Sequence, residues 1–128
     1  MARCLSPFAT SYWTEIHVKT KPRIGLAVLR HPLEEGGQQA PAMLDQANRA
    51  LTEVGLEVVQ APGLVEDSDS AVAAGRFFYE QRVPLIAAAA ATWCADPNLL
   101  DLLEECDVPV VTWAWPGMNT GSTCGCWP

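Results

Sequence analysis

Four short apolar segments alternate with three amphipathic segments along this chain, and this alternation restricts the fold more than any other feature. The first segment, residues 23–29, is apolar throughout after its arginine, as strands covered on both faces are. Strands that alternate with helices across short connections form right-handed crossovers into a parallel sheet. The pattern predicts an α/β fold: a Rossmann-like (flavodoxin-like) three-layer sandwich with about four parallel strands and three helices.

The predicted elements follow one another through short connections. In chain order they are a strand at 23–29, a helix at 41–54, a strand at 56–61, a helix at 68–81, a strand at 83–91, a helix at 96–106 and a strand at 109–112. The segment 83–91 carries conflicting signals, because its alanine run favours a helix, whereas its place between Pro84 and the loop at 92–93 favours a strand. We predict a strand there.

Residue types at the helix ends support these boundaries. Pro41 suits a first helical turn, and Gly55 suits the position just past a helix end. Acidic residues within 66–69 favour the start of the second helix, since carboxylates stabilise the positive end of the helix dipole. Asp96, which a proline follows, is predicted to cap the third helix. Gly75 lies inside the second helix and costs about 1 kcal/mol of helix propensity relative to alanine.

The chain is predicted to contain one domain and one extension. Residues 1–21 have no sustained helical or alternating period, and we predict an N-terminal extension there, which is disordered, packed on the domain or a non-native start. Residues 22–128 are predicted to form one Rossmann-like domain. Because no helix follows the glycine- and tryptophan-rich loop after the last strand, we expect this domain to be truncated at its C-terminal end.

Composition limits the classes of partner. A formal net charge of −7 and a pI near 4.6 argue against nucleic-acid partners and anionic membrane surfaces, because both require an excess of lysine and arginine. The longest apolar run is shorter than the ~20 residues needed to cross a bilayer. The five cysteines are an odd number without a preceding secretory segment, so we predict free thiols and a cytoplasmic protein.

Candidate site residues follow three of the predicted strands. Arg30 and His31 follow the first strand, Trp93 follows the third and Trp113 follows the fourth, so all four are expected at the carboxyl edge of the sheet. Indole faces stack on the C–H faces of sugars, an imidazole transfers protons, and a guanidinium holds a carboxylate or phosphate. The alternative is structural: a solvated loop histidine, a surface arginine and tryptophans that cover the core or an interface.

The residues indicate no catalytic or metal centre. Cys124 and Cys126 form a single closely spaced pair, whereas a structural zinc site needs four ligands and a thioredoxin-type site needs two intervening residues. No carboxylate pair at a strand end and no nucleophile beside a base is visible. We therefore assign no catalytic residue and no metal ligand from the pattern, and we interpret the two cysteines as buried or incidental.

Several segments resemble one enzyme family. These are residues 22–29 (Pro-Arg-Ile-Gly-Leu-Ala-Val-Leu), 51–59, 84–86 with Thr92-Trp93, and above all 109–117 (Pro-Val-Val-Thr-Trp-Ala-Trp-Pro-Gly) with Thr120-Gly-Ser122 and Gly125. Together they are similar to the N-terminal domain of L-fucose isomerase and L-arabinose isomerase-like proteins. The similarity extends over about residues 21–126, and the last loop is its most specific part.

The resemblance implies a role in aldose–ketose isomerisation. Those enzymes use a divalent metal, commonly Mn²⁺, to polarise the sugar oxygens while carboxylates move a proton. Their metal ligands belong to later domains, so the resemblance implies no cofactor in this chain and Mn²⁺ only in a full-length protein. It also implies a homo-oligomer, or missing C-terminal domains, in which Arg30, His31, Trp93 and Trp113 contact the sugar without transferring the proton.

Two other functions remain open from the residues alone. One is a free-standing flavodoxin-like module that binds a small molecule or regulates another protein. The other is a structural oligomerisation unit, in which Phe77, Phe78 and Tyr79 would form an interface rather than part of the core.

Overall fold

A computed structural model of the chain describes residues 20–114. In chain order the elements are β1 (Arg23–Leu29), a short 3₁₀ helix (Gly37–Gln39), α1 (Ala40–Glu53), β2 (Glu57–Gln60), α2 (Ser68–Glu80), β3 (Ile86–Ala90), α3 (Asp96–Glu105) and β4 (Val110–Ala114). The four predicted strands and three predicted helices are confirmed, including the strand within the alanine run. The predicted extension at 1–21 and the loop beyond residue 114 lie almost entirely outside the described residues.

The strands form one parallel sheet in the order β2-β1-β3-β4. This order confirms the predicted flavodoxin-like α/β fold. Successive residues of β1 face opposite sides of the sheet. Leu26 packs with Ala47 of α1 on one face, whereas Ala27 packs with Phe78 of α2 and Leu102 of α3 on the other. One helix therefore covers the first face, and two helices cover the second.

Local residues define the start of α2 and the end of α1. The Ser70 amide donates to the Asp67 carboxylate at 2.8 Å, and the Asp67 amide donates to the Ser70 hydroxyl at 3.0 Å. This reciprocal arrangement is a capping box that satisfies two backbone donors at the start of α2. The bond from the Ser70 amide lowers the pKa of Asp67. Gly55 has a φ of +93° just past α1, as its type predicts.

Three details differ from the sequence predictions. Asp96 is the first residue of α3, and Ala95 precedes it as the N-cap without a side-chain bond, so the predicted cap at Asp96 is wrong by one position. A carboxylate lies at the positive end of the helix dipole both at the N-cap and at the first helical position, so the residue type alone does not distinguish the two positions. Phe78 is fully buried in the core, so the proposed interface role is wrong for this residue, while Tyr79 is exposed. The 3₁₀ helix was not predicted.

Helices α2 and α3 approach each other closely at Gly75. A β-carbon on Gly75 would overlap the carbonyl oxygen of Leu102 and lie 2.7 Å from the β-carbon of Glu105. The cost in helix propensity is therefore accompanied by a close contact that only glycine permits. This contact sets the position of α3 on the sheet.

Candidate functional site

The carboxyl ends of β1 and β3 lie side by side at the point where the strand order of the sheet reverses. The connection after β1 leads to β2 on one side of the sheet, and the connection after β3 leads to β4 on the other. A crevice opens between such connections in doubly wound α/β sheets, and ligands bind there. The loops at 30–36 and 91–95 border this crevice.

His31 and Trp93 meet across the crevice, and Thr92 joins their loops. The His31 amide donates to the Thr92 hydroxyl at 2.8 Å, and this hydroxyl donates to the carbonyl oxygen of Trp93 at 2.9 Å. The His31 and Trp93 rings are tilted by 49° with their centroids 5.7 Å apart. We call the three residues His31, Thr92 and Trp93 the crevice cluster.

The hydrogen bonds of His31 define which ring nitrogen is available. The Leu33 amide donates to Nδ1 of His31 at 3.2 Å, so in the neutral ring the proton is on Nε2. Trp93 is 66% exposed. The crevice cluster therefore offers a ligand one N–H donor and one accessible aromatic face.

Arg30 is bound to neighbouring groups rather than directed at solvent. Its guanidinium forms an ion pair with the Glu66 carboxylate and donates from a second nitrogen to the Gly37 carbonyl at 2.8 Å. Both charged side chains are partly buried. Arg30 therefore connects the loop after β1 to the loop after β2, and Glu66 offsets its positive charge.

Trp113 lies at the same edge of the sheet but one strand away from the crevice cluster. It pairs in register with Ala89 and packs on the face that α1 covers, next to Val28 and Ala40. Its side chain is half-buried. Of the four candidate residues, Arg30, His31 and Trp93 belong to the crevice, whereas Trp113 contributes mainly to the edge of the core.

A pocket of about 400 Å³ lies on the other face of the sheet, beside the start of α3. Its described lining residues are Leu29, Ala88, Ala90, Cys94, Ala95, Asp96, Leu99, Leu100, Thr112, Trp113 and Ala114. We call it the α3 pocket. Neither Cys94 nor Asp96 is predicted from the sequence as a site residue, although Cys94 directly follows Trp93 and Asp96 lies three residues after it.

Burial raises the pKa of the Cys94 thiol, and the nearby Asp96 carboxylate raises it further. Cys94 is a free thiol, and it is expected to stay protonated at neutral pH. Burial and then Asp107 also raise the pKa of Cys106, which is in the core. Neither of these two thiols is an activated nucleophile.

Residues 20–114 contain no group of three or more histidine, cysteine, aspartate or glutamate side chains that could hold a metal ion. Cys124 and Cys126 lie outside the described residues. Within 20–114 no helix is both long enough and apolar enough to cross a membrane. No protein-family model matches the sequence, and no curated protein matches it.

Alkylation of Cys94 is expected to require a higher pH than alkylation of an exposed cysteine. Burial and Asp96 both disfavour the thiolate of Cys94. Cys94 should therefore react with iodoacetamide at about pH 8 severalfold more slowly than the thiol of glutathione does. Asp96→Asn removes the smaller cause, so its pH profile should move to lower pH without reaching that of glutathione. Peptide-resolved mass spectrometry measures the rate at Cys94 alone. A wild-type profile that coincides with glutathione would contradict this prediction.

Proposed function

We propose that this chain is a sugar-recognition domain of an aldose–ketose isomerase-type protein and is not catalytic alone. The observation that supports this most is the crevice cluster, in which an exposed indole and an imidazole N–H lie together at the switch point of the sheet. Switch points of doubly wound sheets are where small ligands bind. The resemblance in sequence indicates which ligand to test first.

The chemistry of the crevice cluster suits a neutral, hydroxylated ring. The exposed face of Trp93 can stack on sugar C–H groups, while Nε2–H of His31 donates to a hydroxyl. The charges nearby disfavour anions, because Glu66 offsets Arg30 and the loop after β1 carries Glu34 and Glu35. A neutral sugar therefore fits this edge better than a nucleotide or a phosphorylated sugar.

The residues of 20–114 do not fit the Mn²⁺ site of the resembled family, since they bring no set of three acidic, histidine or cysteine ligands together. We therefore assign no catalytic step to them. In the proposal, the metal and the proton-transfer carboxylates come from further polypeptide or from a neighbouring subunit of a homo-oligomer. A cytoplasmic location, without nucleic-acid partners, is part of the same proposal.

Binding of L-arabinose and L-fucose to the purified chain tests this proposal. We expect saturation-transfer NMR to detect dissociation constants on the order of 1–10 mM, because one stacking contact and a few hydrogen bonds provide little free energy. Trp93→Ala should weaken binding about tenfold or more, equivalent to about 1.4 kcal/mol. Tyr79→Ala is the matched control, since Tyr79 is a similarly exposed aromatic at the opposite end of the sheet.

The same preparation separates recognition from catalysis. We expect no aldose–ketose conversion with or without added Mn²⁺, and turnover by the purified chain would refute the non-catalytic part. Equal sugar binding by Trp93→Ala and wild type would refute the recognition site.

A second candidate is a flavodoxin-like binding module, which the strand order β2-β1-β3-β4 favours. This candidate requires a ligand with a phosphate group beside the loop after β1, where two glutamates lie. Stabilisation by a flavin mononucleotide in a thermal-shift assay, without any response to pentoses or hexoses, would favour this module over the sugar domain.

A further inference from the structure

The α3 pocket is separate from the crevice cluster, because His31, Thr92 and Trp93 are not among its lining residues. It lies on the face of the sheet that α2 and α3 cover. Small-molecule sites typically enclose about 300–1,000 Å³, and the α3 pocket, with about 400 Å³, falls within this range. It therefore has room for one organic ring with a short substituent.

Small side chains on two neighbouring strands create the pocket. Ala88 and Ala90 of β3 pair in register with Thr112 and Ala114 of β4, and all four line the pocket. Larger residues at these positions would fill the space between the sheet and the start of α3. We call the surface that Ala88 and Ala90 contribute the alanine floor. Leu29 and Leu99 line the pocket beside it, so the interior is apolar.

Asp96 gives the mouth of the pocket its charge. Among the described lining residues it is the one ionisable carboxylate, and no lysine, arginine or histidine lines the pocket there. Its side chain is exposed at the first position of α3. A ligand with a negative charge would be repelled by Asp96, whereas an ammonium group would be attracted to it.

We infer that the α3 pocket binds a small organic amine, with its apolar ring on the alanine floor and its ammonium group beside Asp96. This site goes beyond the proposed sugar recognition and does not depend on it. Charge complementarity selects the amine, and the volume has room for a body of at least one ring. Cys94 lines the same pocket, so we expect a bound ligand to reduce the access of reagents to its thiol.

Three probes that share one ring and differ in charge test the inference. Benzylamine, benzyl alcohol and benzoate are each added at about 10 mM to the full chain, in buffer of fixed pH. Alkylation of Cys94 by iodoacetamide is followed by peptide-resolved mass spectrometry. We expect benzylamine to slow alkylation by about threefold or more, benzyl alcohol to slow it less, and benzoate to leave it unchanged.

Two variants identify the groups responsible. Asp96→Asn should reduce protection by benzylamine to the level of benzyl alcohol, with each variant compared with itself in the absence of probe. Ala90→Leu should remove protection by both neutral and cationic probes, because it fills the pocket. Ala73→Leu, at an exposed alanine of α2, is the matched control. Thr112→Leu replaces Ala90→Leu if circular dichroism shows that the latter is unfolded.

The inference is overturned by protection from benzoate equal to that from benzylamine, by full protection in Ala90→Leu or Thr112→Leu, or by no protection from any probe. It is also overturned if Cys94 is protected without a probe and this protection disappears on dilution. That last result would identify a second copy of the chain as the occupant of the pocket.

Discussion

Gly75→Ala is expected to lower the free energy of unfolding by about 2 kcal/mol. Alanine gains about 1 kcal/mol of helix propensity over glycine, but inserting a methyl group into a packed contact costs about 1–3 kcal/mol. The upper end of this range applies, because the new β-carbon would meet the backbone carbonyl of Leu102, which cannot rotate away as a side chain can. Helices α2 and α3 must therefore move apart.

Urea denaturation measures this effect, with Gly63→Ala as the matched control. No atom lies within 4 Å of a β-carbon at Gly63, and its φ is not in the left-handed region. The control should be neutral or stabilising by up to about 1 kcal/mol, since alanine reduces the entropy of the unfolded chain. A Gly75→Ala variant as stable as the wild type would show that the two helices are not in close contact.

The same contact links the core to the α3 pocket. Asp96, Leu99 and Leu100 line the pocket from α3, and the position of α3 depends on its approach to Gly75. If α3 moves outward in Gly75→Ala, the pocket opens and Cys94 becomes more exposed. Faster alkylation of Cys94 should therefore accompany the loss of stability.

The sequence predicts the sheet well because β1, β2 and β4 have local strand signals, and the place of β3 between its flanking segments indicates a strand. The run at 23–29 matches β1 residue by residue, and the alanines of β3 form a strand despite their helical preference. In this case burial between two strands and two layers of helices outweighs propensity. The 3₁₀ helix at Gly37–Gln39 has three residues, which is too short for a periodic pattern to indicate it.

The candidate site is less predictable, because its contacts join residues far apart in the chain. Parallel topology indicates that Arg30, His31 and Trp93 share an edge, but it does not indicate that Glu66, 36 residues from Arg30, binds its guanidinium. The α3 pocket depends on the register of β3 with β4 and on the position of α3. Neither quantity has a local signal in the sequence.

Arg30→Met is expected to lower the free energy of unfolding by about 2 kcal/mol, between the effects of breaking an exposed pair and a buried one. The side chains of Arg30 and Glu66 are 25% and 32% exposed, and the substitution also removes the donor to the Gly37 carbonyl. Because His31 follows Arg30 directly, the loop that carries it loses one of its attachments and keeps the bond from the His31 amide to Thr92. Hydrogen exchange at residues 30–40 should accelerate, and the proposed sugar binding should weaken.

A double-mutant cycle of Arg30→Met and Glu66→Gln isolates the ion pair, and we expect a coupling of about 1 kcal/mol. The matched control is the cycle of Arg23→Met and Glu57→Gln. Arg23 also binds a carboxylate and a carbonyl oxygen, that of Gln81, but its pair with Glu57 is more exposed. Its coupling should be about 0.5 kcal/mol or less and should fall further in about 1 M salt, which screens exposed charges most. Equal couplings in the two cycles would show that Arg30 is an ordinary surface residue and does not hold the crevice loop in place.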